Sequence, residues 1–239
     1  MHRLTQPQGI FDQEDSNMRS MIYLAASLAL APIGVQATTS DTLANLFNGG
    51  SLSLGRFDVH GWSLDKNVSD VSIDYSKIIV DIESSFEGFT LDYDFGGQMS
   101  IAAAGSIFNE FSYYVTDLLR PHFVENVLEL TDPVFEGTPP NSGSILVTED
   151  VFCGGPSGGV IVGQKRAEID PDAEINNPRD SAQFLCKGDL WIEKEITIIS
   201  EGARVSLGDM HQEFVPAPAT AALLALGLFG IRRAVRRAG

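Results

Sequence analysis

Apolar and polar residues alternate with a period of two along much of this chain. Ile78, Val80 and Ile82 interleave with Ile79, Asp81 and Glu83, and Phe89, Leu91, Tyr93 and Phe95 with Thr90, Asp92 and Asp94. Side chains of a strand point alternately to its two faces, so the pattern predicts strands with one wet face. Further strands are expected over Ser51–Trp62, Val71–Tyr75, Phe111–Thr116, Phe123–Leu130, Ser144–Phe152, Gly159–Gly163, Leu190–Ser200 and Ala203–Phe214. Turn chemistry separates them: Asn48-Gly-Gly, Glu87-Gly88, Gly96-Gly97, Pro139-Pro-Asn-Ser-Gly143 and Gly202. A short helix fits Thr42–Phe47, and Arg166–Asp180 reads as a polar loop. Short strands, frequent turns and no helical stripe point to an all-β fold, a jelly-roll-like β-sandwich.

The two ends break the pattern. Met18-Arg19-Ser20-Met21 precedes an apolar run from Ile22 to Ile33, and Val35-Gln36-Ala37 supplies small residues before Thr38. This has the form of a secretory signal peptide over 18–37, cut by signal peptidase after Ala37. Residues 1–17 carry Asp12, Glu14 and Asp15, the wrong charge for the start of such a signal, and are expected to be a mis-assigned extension.

At the other end stand Val215-Pro216-Ala217-Pro218, an uncharged run from Ala219 to Ile231, and Arg232, Arg233, Arg236 and Arg237. Thirteen residues give only about 20 Å of helix, short of a full membrane span. The arginines would hold its end in the cytoplasm. The alternatives for 214–239 are a plain retained anchor and a buried core helix. The ending resembles the PEP-CTERM sorting signal of Gram-negative bacteria, here with alanine where the motif usually has glutamate. That resemblance implies export and processing by an exosortase-type membrane transpeptidase. The helix would then rest only transiently in the inner membrane, and the mature protein would reach the cell surface or the extracellular polymeric substance. The segment Asp41–Gly55 also resembles the opening of many exosortase-sorted β-domains.

Between the signals lies one domain, 38–213. From Thr38 to Thr220 the chain carries 10 Lys and Arg against 29 Asp and Glu, a balance of −19 beside −16 for the whole chain. Such acidity repels nucleic acid and anionic lipid. Cations, basic surfaces and neutral polysaccharide remain as partners. The only cysteines, Cys153 and Cys186, are expected to pair in an oxidising compartment.

Candidate chemistry is thin. Gly155-Pro156-Ser157-Gly158-Gly159 satisfies the nucleophile-elbow pattern, but strand-like Val160-Ile-Val162 follows where a helix is required. Asp170, Asp172, Glu174 and Asn176 place oxygens at alternate positions, as calcium loops do, yet Ile175 and Ser181 occupy the positions an EF-hand reserves for glycine and glutamate. Asp92 and Asp94 read as the wet face of a strand. His60 and Trp62 share a strand and suggest either a sugar-stacking surface or core packing. No phosphate loop, HExxH or CxxC is present, so no cofactor or metal site is expected. The reading is a non-enzymatic structural or binding domain. Alternatives are a secreted hydrolase of polysaccharide or ester bonds, and a calcium-dependent carbohydrate-binding or adhesion module.

Overall fold

The computed structural model describes residues 39–85, 88–118, 123–137, 142–157 and 159–216. The expected signal peptide with Ala37, the expected extension over 1–17, Ala217, Pro218, the apolar run and the four tail arginines lie outside the described residues.

In chain order the elements are β1 (Thr39–Thr42), α1 (Leu43–Phe47), β2 (Leu52–Leu54), β3 (Phe57–Ser69), a 3-10 turn (Tyr75–Lys77), β4 (Ile79–Ser84) and β5 (Phe89–Asp94). They continue with β6 (Ser100–Ile101), β7 (Gly105–Asp117), β8 (Phe123–Thr131), β9 (Val134–Phe135), β10 (Ser144–Cys153) and β11 (Val160–Asp170). The last are β12 (Ile175–Asn177), β13 (Arg179–Cys186), β14 (Leu190–Ser200), β15 (Val205–Ser206) and β16 (Asp209–Pro216). Two antiparallel sheets form the sandwich. One has six strands in the order β1-β4-β5-β16-β8-β13, and the other seven, β12-β11-β10-β14-β7-β3-β2. A three-stranded patch, β6-β15-β9, completes the sheet structure.

The alternating apolar residues do what their period predicts. Val80, Ile82, Phe89, Leu91 and Tyr93 of the six-stranded sheet are buried, as are Phe111, Tyr113, Ile192, Ile196 and Val147 of the seven-stranded one. The short helix forms where expected. Thr42 caps it by accepting a hydrogen bond from the Asn45 amide at 3.2 Å, and Leu43 and Leu46 enter the core. Cys153 and Cys186 form the expected disulfide, joining β10 of one sheet to the end of β13 in the other.

Four expectations need correction. Ser51–Trp62, expected as one strand, is a hairpin in which β2 turns at Gly55-Arg56 and pairs antiparallel with the start of β3. Val71–Tyr75 alternates like a strand but is a connection from the seven-stranded sheet to the six-stranded one, ending in the 3-10 turn. Val71, Ile73 and Tyr75 pack on the core, and the Asp74 side chain caps the turn through the Ser76 amide. A segment that passes between sheets has no strand to pair with. Arg166–Asp180, expected as a loop, belongs mostly to β11, β12 and β13. Its polar residues are the outward half of β11, with Ala167 and Ile169 facing in, and the exposed edge strand β12. Ala203–Phe214 is two strands in two different sheets, parted at Leu207-Gly208. β16 runs on to Pro216, so Phe214, Val215 and Pro216 belong to the sheet.

Candidate functional site

A bulge in β3 creates the surface of interest. Residues two apart on a strand normally share a face, which would set His60 beside Trp62. Instead Gly61 and Trp62 together oppose Tyr113, because the register slips between His60↔Tyr114 and Ser63↔Ser112. Gly61 adopts a φ of +64° there. The slip turns Trp62 inward, where its indole stacks on Tyr113 at 4.3 Å and donates a hydrogen bond to the Val59 carbonyl. His60 stays outside and stacks on Tyr114, centroids 5.5 Å apart. The core-packing reading therefore holds for Trp62, while His60 faces outward.

His60 begins a row that crosses five strands of the outer face of the seven-stranded sheet. Directly opposed positions are His60 and Tyr114, Tyr114 and Trp191, Trp191 and Phe152, and Phe152 and Ile161. Strands lie about 4.8 Å apart, so the row is roughly 19 Å long. Trp191 meets Tyr114 edge-on at 4.5 Å and is 9% exposed, whereas Ile161 is 47% exposed. His60, Tyr114 and Phe152 are half-buried. One pair of residues along the strands lies a polar row, with Glu193 opposite Asp150 and Asp150 opposite Gln164. Glu193 accepts a hydrogen bond from the Trp191 indole at 3.0 Å, and Gln164 donates to Asp150 at 2.9 Å. The Gly154–Ser157 loop rims the row: a Cβ on Gly155 would lie 3.3 Å from the Tyr114 ring. An aromatic strip beside carboxylates and a carboxamide can stack an apolar ring face and accept hydrogen bonds from hydroxyl groups.

The other candidates have structural work. Ser157 is exposed on a strand–loop–strand connection, and among the described residues His60 pairs instead with Thr116 and His211 with Asp92. Asp170 accepts from the Asp172 and Ala173 amides at 3.0 and 2.9 Å, closing the turn between β11 and β12. Asp172 clamps the Ser142 and Gly143 amides. Among the described residues no group of three or more His, Cys, Asp or Glu side chains is placed to hold a metal ion. Asp92 and Asp94 lie on the outer face of the six-stranded sheet, as expected of a wet face, with Asp81, Glu129, Asp209 and Glu213. Repulsion adds to partial burial in raising the Asp209 carboxyl, with Asp94 and Asp132 as its neighbours.

Inside the sandwich sits a polar network that alternation does not reveal. Lys165, Glu149 and Lys194 stand directly opposite one another on β11, β10 and β14, all pointing inward and all buried. The Lys165 ammonium lies 2.5 Å from Glu149 Oε1, and Lys194 pairs with Oε2. From the facing sheet, Gln212 Nε2 donates to Glu149 Oε1 at 2.8 Å, and Tyr113 donates its hydroxyl hydrogen to Gln212 Oε1. Burial pushes the Glu149 carboxyl up, but the two lysines outweigh it and hold it below the ordinary carboxylate value. Burial lowers Lys165 to about 8, with Glu149 only partly offsetting it, and lowers Lys194 as well. Burial also raises Tyr93 and Tyr113 well above the usual phenol value. The sequence signal was present but easily misread: each of these charged residues occupies an apolar-phase position of its strand, as in Ile145-x-Val147-x-Glu149-x-Val151.

No family profile and no curated protein matches this chain. Among solved structures it is similar to TmCBM61 in complex with beta-1,4-galactotriose, at 14% identity and a TM-score of 0.31, covering 64% of this chain and 87% of the other. It is also similar to the xylan-binding module CBM15, at 8% identity and a TM-score of 0.22, covering 75% and 97%. A third is the enzymatically active domain of the bacteriophage CBA120 tailspike protein 4, at 10% identity and a TM-score of 0.29, covering 65% of this chain and 19% of that one. At such values any ligand must be argued from this chain's own residues.

Proposed function

We propose that this protein is an exported cell-surface or matrix component whose β-sandwich binds polysaccharide without cleaving it. The row His60–Tyr114–Trp191–Phe152–Ile161, flanked by Glu193, Asp150 and Gln164, carries this reading. Its length suits several sugar rings lying across the strands. The carboxylates suit neutral chains rather than polyanions, because they accept hydrogen bonds from hydroxyl groups and repel uronates and sulfates. Sheet-to-sheet crossings such as that from β3 to β4 support the jelly-roll-like form of the sandwich. Export rests on the signal-peptide pattern before Thr38. Sorting by an exosortase-type enzyme rests on Val215–Pro218, the apolar run and the arginines at 232, 233, 236 and 237.

Affinity electrophoresis of the disulfide-bonded domain through gels holding neutral polysaccharides tests the binding. The wild type should be retarded by at least one of a galactan, a xylan and a mannan. Phe152→Ala together with His60→Ala should weaken that retardation about tenfold or more, as loss of interface anchors does, with the near-ultraviolet circular dichroism of the core aromatics preserved. Equal retardation of wild type and double variant would remove the row from the function. Release of reducing ends would instead establish a hydrolase.

A further inference from the structure

We propose that Lys165 and Gln212 form an intramolecular isopeptide bond that ties the two sheets together through the core. The interior network holds the parts of such a reaction. Lys165 Nζ and Gln212 Nε2 both approach one oxygen, Glu149 Oε1, at 2.5 and 2.8 Å. The attacking and the departing nitrogen thus share one carboxylate, which can carry protons between them. Tyr113 donates its hydrogen bond to the Gln212 carbonyl oxygen, where negative charge grows when an amine adds to Cδ. Lys165, Gln212, Glu149 and Tyr113 are all buried, so water does not compete for the carbonyl.

Charge supplies the drive. Two lysines share one carboxylate, leaving the buried cluster with one positive charge in excess. An unbalanced buried charge is costly, and the lowered position of Lys165, to about 8, expresses that cost as readily available free amine. Turning Lys165 into a neutral amide leaves Glu149 paired with Lys194 alone.

The step balances as follows. Glu149 takes one proton from the Lys165 ammonium, and the free amine adds to Gln212 Cδ while the carbonyl electrons move to Oε1 against the Tyr113 hydroxyl. The carboxylate passes its proton to Nε2, the carbonyl re-forms, and the Cδ–Nε2 bond breaks to release ammonia. Glu149 then relays the second proton from Nζ to that ammonia, and nitrogen leaves as ammonium. No oxidant or co-reactant takes part. The new bond joins β11 of the seven-stranded sheet to β16, a central strand of the other.

Intact-mass spectrometry of the folded, disulfide-bonded protein decides the matter. After incubation at pH 9 the wild type should weigh one ammonia less than its sequence with the disulfide, and proteolysis should yield a branched peptide joining Lys165 to Gln212. Lys165→Met should keep the full mass while folding to the same spectrum. A wild type that retains full mass would overturn the proposal, and this reading needs no variant to fold. Loss of ammonia that persists in Lys165→Met would overturn it as well, as would a branched peptide through Lys194 or through Asn126, the buried carboxamide 3.5 Å from Gln212 Nε2. Loss of water in place of ammonia would mark a Glu149–Lys bond and exclude this one.

Discussion

Single residues decide which face of β3 meets solvent. Gly61 does so twice over: its φ of +64° is costly for other residues, and an added Cβ would sit 2.9 Å from Tyr114 Cδ2. Gly61→Ala should therefore lower stability by about 1–2 kcal/mol and weaken polysaccharide retention by displacing Tyr114. Urea denaturation beside affinity electrophoresis measures both, and an alanine variant as stable as wild type would contradict the bulge. The buried lysine gives a second residue-scale outcome. Gln212→Met keeps Lys165 free, because it removes the carboxamide with which that lysine would condense. Lys165 ionises near 8 when folded and at its ordinary 10.5 when unfolded. Below pH 8 both states hold the proton; between 8 and 10.5 only the unfolded chain does, so stability rises with pH across that window. The full shift is worth about 3 kcal/mol as an order of magnitude. Above pH 10 the trend turns, since Tyr93 and Tyr113 resist the ionisation that unfolded tyrosines undergo. The urea midpoint of Gln212→Met should accordingly climb from pH 8 to 10, and a flat or falling midpoint would refute the free, buried lysine.

Elements in this fold are held by pairing across sheets as well as within them. The Cys153–Cys186 bridge links β10 to the end of β13, closing 33 residues of sequence separation. On the chain-entropy account its removal should cost about 3–4 kcal/mol. Chemical denaturation of Cys153→Ser with Cys186→Ser checks this, and a cost below about 1 kcal/mol would mean that β13 is fixed by its pairing with β8 alone. Much of this level was legible in the chain. Alternation located β4, β5, β10 and β14, α1 forms within the expected Thr42–Phe47, and cysteine arithmetic gave the bridge. Periodicity, however, reports only that one face is apolar. It could not tell Val71–Tyr75, whose apolar residues pack on the core without a strand partner, from a true strand. Nor could it carry the strand expected at Gly159–Gly163 through the rest of β11, or show β13 as a strand, because their outward residues are mostly charged or polar and read as loop. The aromatic row escaped for a related reason: His60, Tyr114, Trp191, Phe152 and Ile161 come from five strands, and only register makes them neighbours.

At the scale of the whole molecule, the proposed sorting motif and the fold overlap. β16 lies between β5 and β8, and its end carries Phe214, buried and stacked on Phe89 at 4.9 Å, then Val215, then Pro216, buried opposite Phe123. The first two motif residues are thus part of a central strand. Proline is tolerated there because it sits at the terminal register shift, where no ladder amide is required. A cut before Pro216 would remove from β16 a buried residue that stands opposite Phe123 of β8, just beyond the last pairing with β5 at Phe214. Under exosortase-type sorting, processing of the folded domain must fall after Pro216. At the other end β1 starts at Thr39, so a cut after Ala37 leaves the first strand intact. Intact mass of the protein from its native host, taken separately from cell surface and medium, should then give a chain starting at Thr38 and ending beyond Pro216, with the disulfide formed. Replacing Arg232, Arg233, Arg236 and Arg237 with glutamate should make the unprocessed form accumulate, since the basic flank that orients the apolar run is gone. A mature chain that still ends at Gly239 would make the tail a permanent anchor, and one ending before Phe214 would mean that cleavage precedes closure of the six-stranded sheet.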